Sequence, residues 1–286
     1  MTVGAALANG TQRLRAVSRS PRIDAVRLLE VVLGHDVAWL FAHGEARVEP
    51  RDSACFGELL ERRARGEPLA YIAGSVGFYG REFAVSPAVL VPRPESEHLV
   101  ALALEGWRSA RTSEPIRICD VGTGSGNLAV TLALELPHSR VVAIDVSPGA
   151  LAVAAHNAKA LGAMSRIRFV LGDMFASLAP DERFDCIVAN LPYVATGDLA
   201  PAPDPTAFEP RLALDGGGDG LEPYRRLLAQ APDRLTEAGR LFMEAGPDTA
   251  QALADLAQAA FGAVARVMVV ADYAARERVV RVCRRR

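Results

Sequence analysis

The spacing of apolar positions changes character twice along the chain. In the first 75 or so residues it is helical and short-ranged. Val26, Leu29, Val32 and Leu33 fall at i, i+3, i+6 and i+7, and Leu28 joins their stripe. Ser20-Pro21 supplies a helix start with proline at the first position, and Gly34 a stop. A second helix is predicted over Asp52–Arg65, with Cys55, Leu59 and Leu60 inward and Gly66 ending it. From Gly77 to Val91 the chain turns to aromatic and β-branched residues among turn breakers, the pattern of a β-hairpin. A helix from about Glu97 to Trp107 and a polar, turn-rich stretch at Ser109–Pro115 follow.

Beyond that point strands and helices alternate. Strands are predicted at Ile116–Val121, Val141–Asp145, Ile167–Leu171, Phe184–Ala189 and Arg240–Glu244, with helices at Asn127–Leu136, Pro148–Leu161, Pro223–Leu235 and Asp248–Ala260. Two closing strands, Ala265–Ala271 and Arg278–Cys283, are separated by a short gap and are expected to be antiparallel. This βαβα order predicts an α/β fold with a mostly parallel sheet covered on both faces. The segment Val194–Gly220 is long and rich in Pro, Asp and Gly, as functional or mobile loops are.

Composition narrows the function. The 286 residues carry 32 Lys and Arg against 34 Asp and Glu, a net charge of −2. That balance argues against a polynucleotide binder, which meets phosphates with a basic excess. Lys159 is the only lysine, which bears on composition and not on function. No apolar run reaches the roughly 18 residues of a membrane span, and no basic-then-apolar leader opens the chain. Cys55, Cys119, Cys186 and Cys283 lie far apart with no metal-ligand spacing, so neither zinc nor a disulfide framework is expected, and a reducing cytoplasm is the expected compartment.

The strongest local signal is Asp120-Val121-Gly122-Thr123-Gly124-Ser125-Gly126, between a strand and a helix. Glycines there let the backbone approach a ligand at the strand ends. Asp145 closes the next strand, placed to accept both hydroxyls of a ribose. A dinucleotide enzyme prefers GxGxxG. Here the spacing is GxGxG with Asn127 in place of the last glycine, and Asp120 would repel a pyrophosphate but suit a cationic amino-acid tail. Both features favour S-adenosyl-L-methionine over a dinucleotide, and the carboxylates Asp120, Asp145 and Asp173, each at a strand end, weigh against a tight turn with no ligand. Asp173 follows the third strand, within reach of an adenine amino group. The fourth strand ends in Asn190-Leu191-Pro192-Tyr193. This tetrapeptide suits a planar nitrogen acceptor whose lone pair is delocalised. The Asn190 side-chain oxygen and the Leu191 carbonyl can each accept an N–H, and Tyr193 can stack on the plane.

Over nearly its whole length the chain resembles the PrmC/HemK family of protein-(glutamine-N5) methyltransferases, which modify class-1 peptide chain release factors. The resemblance rests on Gly66-Glu67-Pro68-Leu69-Ala70-Tyr71-Ile72, Gly77-Phe78-Tyr79-Gly80, Val91-Pro92-Arg93-Pro94-Glu95-Ser96-Glu97, the Asp120–Gly126 turn, Asn190–Tyr193, and Glu209-Pro210-Arg211 with Leu214 and Gly220-Leu221. It implies a Rossmann-like class I methyltransferase sheet over 96–286, a hairpin linker over 76–95 and a helical substrate-docking domain over 1–75. It implies cofactor contacts from the Gly122-Thr123-Gly124-Ser125-Gly126 turn, Asp145 and Asn190. It also implies a glutamine held by Asn190, Leu191, Pro192 and Tyr193, with no metal. Phe78 is a candidate for lining the glutamine pocket or for anchoring the hairpin.

Three positions depart from the family pattern. Leu191 stands where the tetrapeptide usually has its first Pro, which removes some stiffness. Asp272–Arg278 matches only loosely. Met174 stands where some members have an aromatic beside the adenine. Asn-Leu-Pro-Tyr is also the form of rRNA adenine dimethylases. An adenine-N6 methyltransferase, a ribosomal-protein glutamine methyltransferase of the sister branch, and a binding module without turnover therefore stand as alternatives.

Overall fold

Helix starts and stops in the first 75 residues fall where proline, aspartate and glycine put them. Five helices form: α1 (Val3–Leu14), α2 (Pro21–Leu33), α3 (Val37–Ala42), α4 (Pro50–Ala64) and α5 (Leu69–Ala73). Pro21 and Pro50 open α2 and α4, the Asp36 side chain accepts from the Trp39 N–H to cap α3, and α2 ends on Gly34 in the left-handed conformation. The structure, a computed structural model, describes residues 1–105, 107 and 114–285. Arg286 and most of the turn-rich stretch expected over Ser109–Pro115 lie outside the described residues.

The chain divides into two units. The first comprises Met1–Val76 with Ala200–Phe208, and the second Gly77–Leu199 with Glu209–Arg286. The core of the first unit is built from Leu14, Leu28, Leu29, Leu40, Phe56 and Leu60. The inward face of α4 differs from expectation: Phe56, Leu60 and Arg63 are buried, at i, i+4 and i+7, while Cys55 is exposed. Arg63 is drawn inward by Asp24, whose Oδ2 accepts from its Nε at 2.7 Å. That partner is 39 residues away, so no local pattern announces it. Gly66 has φ +94°, and a Cβ there would lie 2.2 Å from the Pro203 carbonyl oxygen. The Gly66–Ile72 stretch is thus shaped by close backbone approach followed by a short helix.

Strands β1 (Ser75–Phe78) and β2 (Arg81–Ala84) form a two-stranded sheet, with Tyr79 and Gly80 between them at positive φ. Helix α6 (Ser96–Leu104) stops three residues short of Trp107. In the second unit β3 (Ile116–Val121), α7 (Asn127–Glu135), β4 (Ser139–Asp145), α8 (Pro148–Ala160), β5 (Ile167–Leu171) and β6 (Phe184–Ala189) follow the expected alternation. The helix expected over Pro223–Leu235 is instead two, α9 (Glu222–Leu228) and α10 (Ala231–Arg234). Pro232 explains the break, since it lacks an N–H and crowds the carbonyl four residues back. Then come β7 (Leu235–Glu244), α11 (Ala250–Phe261), β8 (Ala265–Ala271) and β9 (Glu277–Arg284).

The seven-stranded sheet has the order β5-β4-β3-β6-β7-β9-β8. Its first five strands are parallel, and β9 runs antiparallel to both β7 and β8. Alternation along each strand feeds two cores. Cys119, Val121, Val142, Ile144, Ile187 and Ala189 join Phe175, Leu227 and Leu253 on one face. Ile118, Ala143, Cys186 and Val188 join Leu99, Leu128 and Leu132 on the other. This is the Rossmann-like sheet that the resemblance implies. No helix among the described residues is long and apolar enough to cross a membrane.

The assigned face of α4 is testable by urea unfolding of the full chain. Phe56→Ala is expected to cost about 3–5 kcal/mol through the cavity it leaves, and Cys55→Ala to stay within about 0.5 kcal/mol. Equal costs would contradict the face.

Candidate active site

Parallel register brings the ends of four strands to one edge: Val121 pairs with Ile144 and Ala189, and Asp145 with Leu171. A cavity of about 250 Å³ opens there. After β3 the chain turns sharply, with Gly122 at φ +75°. A Cβ on Gly122 would lie 2.8 Å from Leu191 Cδ2, so only glycine lets the turn and the exit of β6 approach. Gly122, Thr123, Gly124 and Ser125 line the cavity, and a Cβ on Gly124 would meet open space. Gly126 does not line it. A Cβ there would come within 2.9 Å of Ala154, so this glycine serves the packing of α7 on α8.

Asp120 does not line the cavity either, which corrects the expectation that it faces a cationic ligand. Its position in β3 points it to the face covered by α7, where it is fully buried. Its Oδ2 accepts from Thr123 Oγ1 at 2.7 Å and from the Ala129 N–H at 3.1 Å, tying the turn to the start of α7. Oδ1 is buried without a hydrogen-bond partner. Burial pushes the Asp120 carboxyl up to about 7, against the bonds from Thr123 and Ala129.

Asp145 lines the cavity. Its Oδ2 accepts from the Gly124 N–H and its Oδ1 from the Ser147 N–H, each at 2.9 Å. Burial raises its pKa. The bonds orient the carboxylate and leave lone pairs for hydroxyl donors. Asp173 and Met174 also line the cavity. Asp173 is ion-paired there with Arg226, so its carboxylate already has a partner. Met174 is buried at φ +49°, a strained conformation for a side-chain-bearing residue.

Asn190, Leu191 and Pro192 line the cavity beside the turn. Asn190 Nδ2 donates to Ser96 Oγ at 3.1 Å. The Tyr224 hydroxyl lies 3.1 Å from the Leu191 nitrogen and 3.2 Å from its carbonyl oxygen, and also contacts the Glu244 carbonyl closely. The hydroxyl has a single proton. Donated to Glu244, that proton leaves the hydroxyl oxygen to accept the Leu191 N–H and leaves the Leu191 carbonyl unspent. Tyr193 is not among the lining residues. Its ring lies against Gly246, where a Cβ would be 3.4 Å away, and burial pushes its phenol up to about 12. Of the two places open to Phe78, the structure gives the hairpin anchor: it is buried in the core, edge-on to Phe83 at 6.0 Å, and does not line the cavity. Its place in the alternating hairpin turns it inward.

Sequence reasoning missed Ser96, Tyr224, Glu244 and Arg226 as parts of this site. Arg93 also lines the cavity, and its Nη2 lies 2.8 Å from both carboxylate oxygens of the buried Glu209. Both residues stand in quoted motifs, which was the available signal. Tyr224 carried none, since one tyrosine on a short helix looks like core.

Residues 5–74 match the PrmC N-terminal domain family, and residues 112–256 a methyltransferase domain family. The release factor glutamine methyltransferase of Moorella thermoacetica is 42% identical over 97% of this chain and 97% of its own. That of Bordetella pertussis is 45% identical over 81% of this chain and 84% of its own. The chain belongs to the release factor glutamine methyltransferase family. The 16S rRNA N2 G1207 methyltransferase of T. thermophilus, at 21% identity and TM-score 0.52 over 74% of this chain and 50% of that one, shares the fold. Like other members of its family, the chain is a methyltransferase, with S-adenosylmethionine as cofactor. The residues present fit that group: a turn free of side chains at Gly122 and Gly124, and an oriented carboxylate at Asp145 with lone pairs to spare.

Two outcomes follow for this family member. Gly122→Ala places a methyl against Leu191 at positive φ. It is expected to weaken S-adenosylhomocysteine binding at least ~10-fold in calorimetric titration, about 1.4 kcal/mol. Unchanged affinity would show that the turn does not hold the cofactor. For Asp120, the folded pKa of about 7 lies above the ordinary 3.8. The stability this carboxyl contributes is fully present below the unfolded value and is lost as pH rises through the folded one. Asp120→Asn is therefore expected to flatten the fall in unfolding free energy between about pH 4 and 7. An undiminished slope would assign that fall to other groups.

Proposed function

We propose that this enzyme methylates the side-chain amide nitrogen of the glutamine in the Gly-Gly-Gln motif of class-1 peptide chain release factors. The observation that carries the reading is the lining of one cavity. The Gly122–Ser125 turn and Asp145 stand beside Asn190-Leu191-Pro192, in a chain whose full-length relatives are named release factor glutamine methyltransferases.

In this reading Gly122, Thr123, Gly124, Ser125 and Asp145 hold the cofactor, with Asp173 and Met174 at its adenine end and Gly126 fixing the helix behind the turn. When bound, S-adenosylmethionine supplies an electrophilic methyl group. The residues of the chain position the acceptor. An amide nitrogen is a poor nucleophile because its lone pair is shared with the carbonyl. Asn190 Oδ1 and the Leu191 carbonyl accept its two N–H groups, which fixes the nitrogen's direction and raises its electron density. Pro192 limits the conformations open to Leu191. Tyr193, held against Gly246 beside the tetrapeptide, stacks on the plane of the acceptor amide. Residues 1–75 dock the substrate protein, the 76–95 hairpin links them to the 96–286 catalytic domain, and the reaction runs in the cytoplasm without direct nucleic-acid contact. The net charge of −2 supports a protein substrate over RNA.

The test is mass spectrometry of a release factor incubated with the enzyme and S-adenosylmethionine. One methyl group is expected on the peptide carrying Gly-Gly-Gln, and Asn190→Ala is expected to lower kcat about 100-fold or more, the scale of losing one positioned polar contact in a transition state. Methylation of a ribosomal-protein glutamine instead, with the release factor untouched, would overturn the substrate assignment.

A further inference from the structure

A buried polar chain runs away from the candidate acceptor site. Asn190, after β6, donates from Nδ2 to Ser96 Oγ at 3.1 Å, and Ser96, at the start of α6, donates from Oγ to Glu244 Oε2 at 2.6 Å. Glu244 ends β7, and Ser96 and Glu244 are each 1% exposed. The second Glu244 oxygen, Oε1, is buried without a hydrogen-bond partner.

Proton counting gives this chain a direction. An ionised carboxylate only accepts, and a serine hydroxyl has one proton. Ser96 must spend its proton on Glu244, so what it offers Asn190 is a lone pair. Only the NH₂ end of the amide can use a lone pair. Asn190 therefore keeps nitrogen inward and presents Oδ1 outward.

We infer that Ser96 and Glu244 are positioning residues that set the polarity of the Asn190 amide, so that an oxygen and not an NH₂ group faces the acceptor amide. The inference rests on the reading of Asn190 as an acceptor of substrate N–H.

Protonation of Glu244 turns the chain around. The proton of a neutral Glu244 finds a hydrogen-bond partner only on Oε2, since Oε1 faces none; held there it is donated to Ser96, the serine proton turns to Asn190, and the amide reverses to put NH₂ toward the substrate, donor against donor. The groups around Glu244 leave its ionisation finely balanced. Burial raises its pKa to about 6. The Ser96 bond and the guanidiniums of Arg278 and Arg93 favour the charged form, and Glu95 opposes it. Tyr193 and Tyr224 are the neighbouring phenols, both with pKa values raised chiefly by burial. Arg278 is itself shared with Asp272 at 3.6 Å.

The experiment measures kcat, KM for the release factor and the pH profile of kcat, with calorimetric titration of S-adenosylhomocysteine on each variant. Wild-type enzyme is expected to lose kcat on the acid side near pH 6. Ser96→Ala lowers kcat about 10-fold or more at pH 8, a loss made in the transition state, while cofactor affinity is unchanged, and it abolishes the acid limb. Ser96→Thr, which keeps the hydroxyl, restores both rate and limb. Glu244→Gln abolishes the limb because nothing is left to titrate. Ser96→Ala with wild-type kcat overturns the inference. So does a variant whose kcat and cofactor affinity fall together with the acid limb intact, as a purely structural serine would give. Wild-type enzyme that binds cofactor yet leaves the release factor unmethylated overturns the substrate reading instead, and with it the inference built on that reading.

Discussion

Parallel pairing sets where every candidate residue stands. With Val121 opposite both Ile144 and Ala189, and Asp145 opposite Leu171, the chain leaves four adjacent strands at one level. Each exit then carries its own chemistry: a backbone turn after β3, a carboxylate at the end of β4, Asp173 after β5 and an amide after β6. A one-residue slip in any pair would turn a functional side chain to the other face of the sheet. The two cores guard against this, because alternate residues of β3, β4 and β6 are committed to opposite apolar clusters.

Beneath that edge lies a layer of buried polar groups. Asp120 holds Thr123 and the start of α7, Tyr224 spans Leu191 and Glu244, and Ser96 joins Glu244 to Asn190. A buried group without partners costs about 1–3 kcal/mol, more when charged. Asp120 Oδ1 and Glu244 Oε1 have none, and both carboxyls respond by holding protons more tightly than in water. These costs are borne next to the cavity, where they fix groups that a looser apolar packing would leave free to rotate.

What the sequence made readable follows from the range of the forces involved. Strand boundaries at Ile116–Val121, Ile167–Leu171, Phe184–Ala189 and Ala265–Ala271 agree with the structure because local alternation and breakers determine them. The glycine-rich turn and Asp145 were visible for the same reason. The inward face of α4 was not, since Arg63 turns in for a partner 39 residues distant. Nor was the Ser96–Glu244 bond, which joins residues 148 apart. Asp120 was placed in the right segment and assigned to the wrong surroundings, and for Phe78 the sequence left the pocket and the hairpin core both open. Segment follows from local pattern, but surroundings follow from which face each strand turns to its neighbours.

Leu191 shows how a departure from a family pattern can be compensated. A proline there would stiffen the backbone through its ring but would have no N–H. Leucine has one, and the Tyr224 hydroxyl takes it at 3.1 Å. The Leu191 side chain in turn fills the space that the missing Cβ of Gly122 leaves open. A covalent restraint on this residue is thus replaced by a hydrogen bond on one side and a packing contact on the other. Tyr224 is fully buried and bonded to the Glu244 carbonyl, so the replacement is anchored in the same network that orients Asn190. The two acceptors that the methyl-transfer reading needs, one side-chain and one backbone, are therefore held from the single residue Glu244, through its carboxylate for Asn190 and its carbonyl for Leu191.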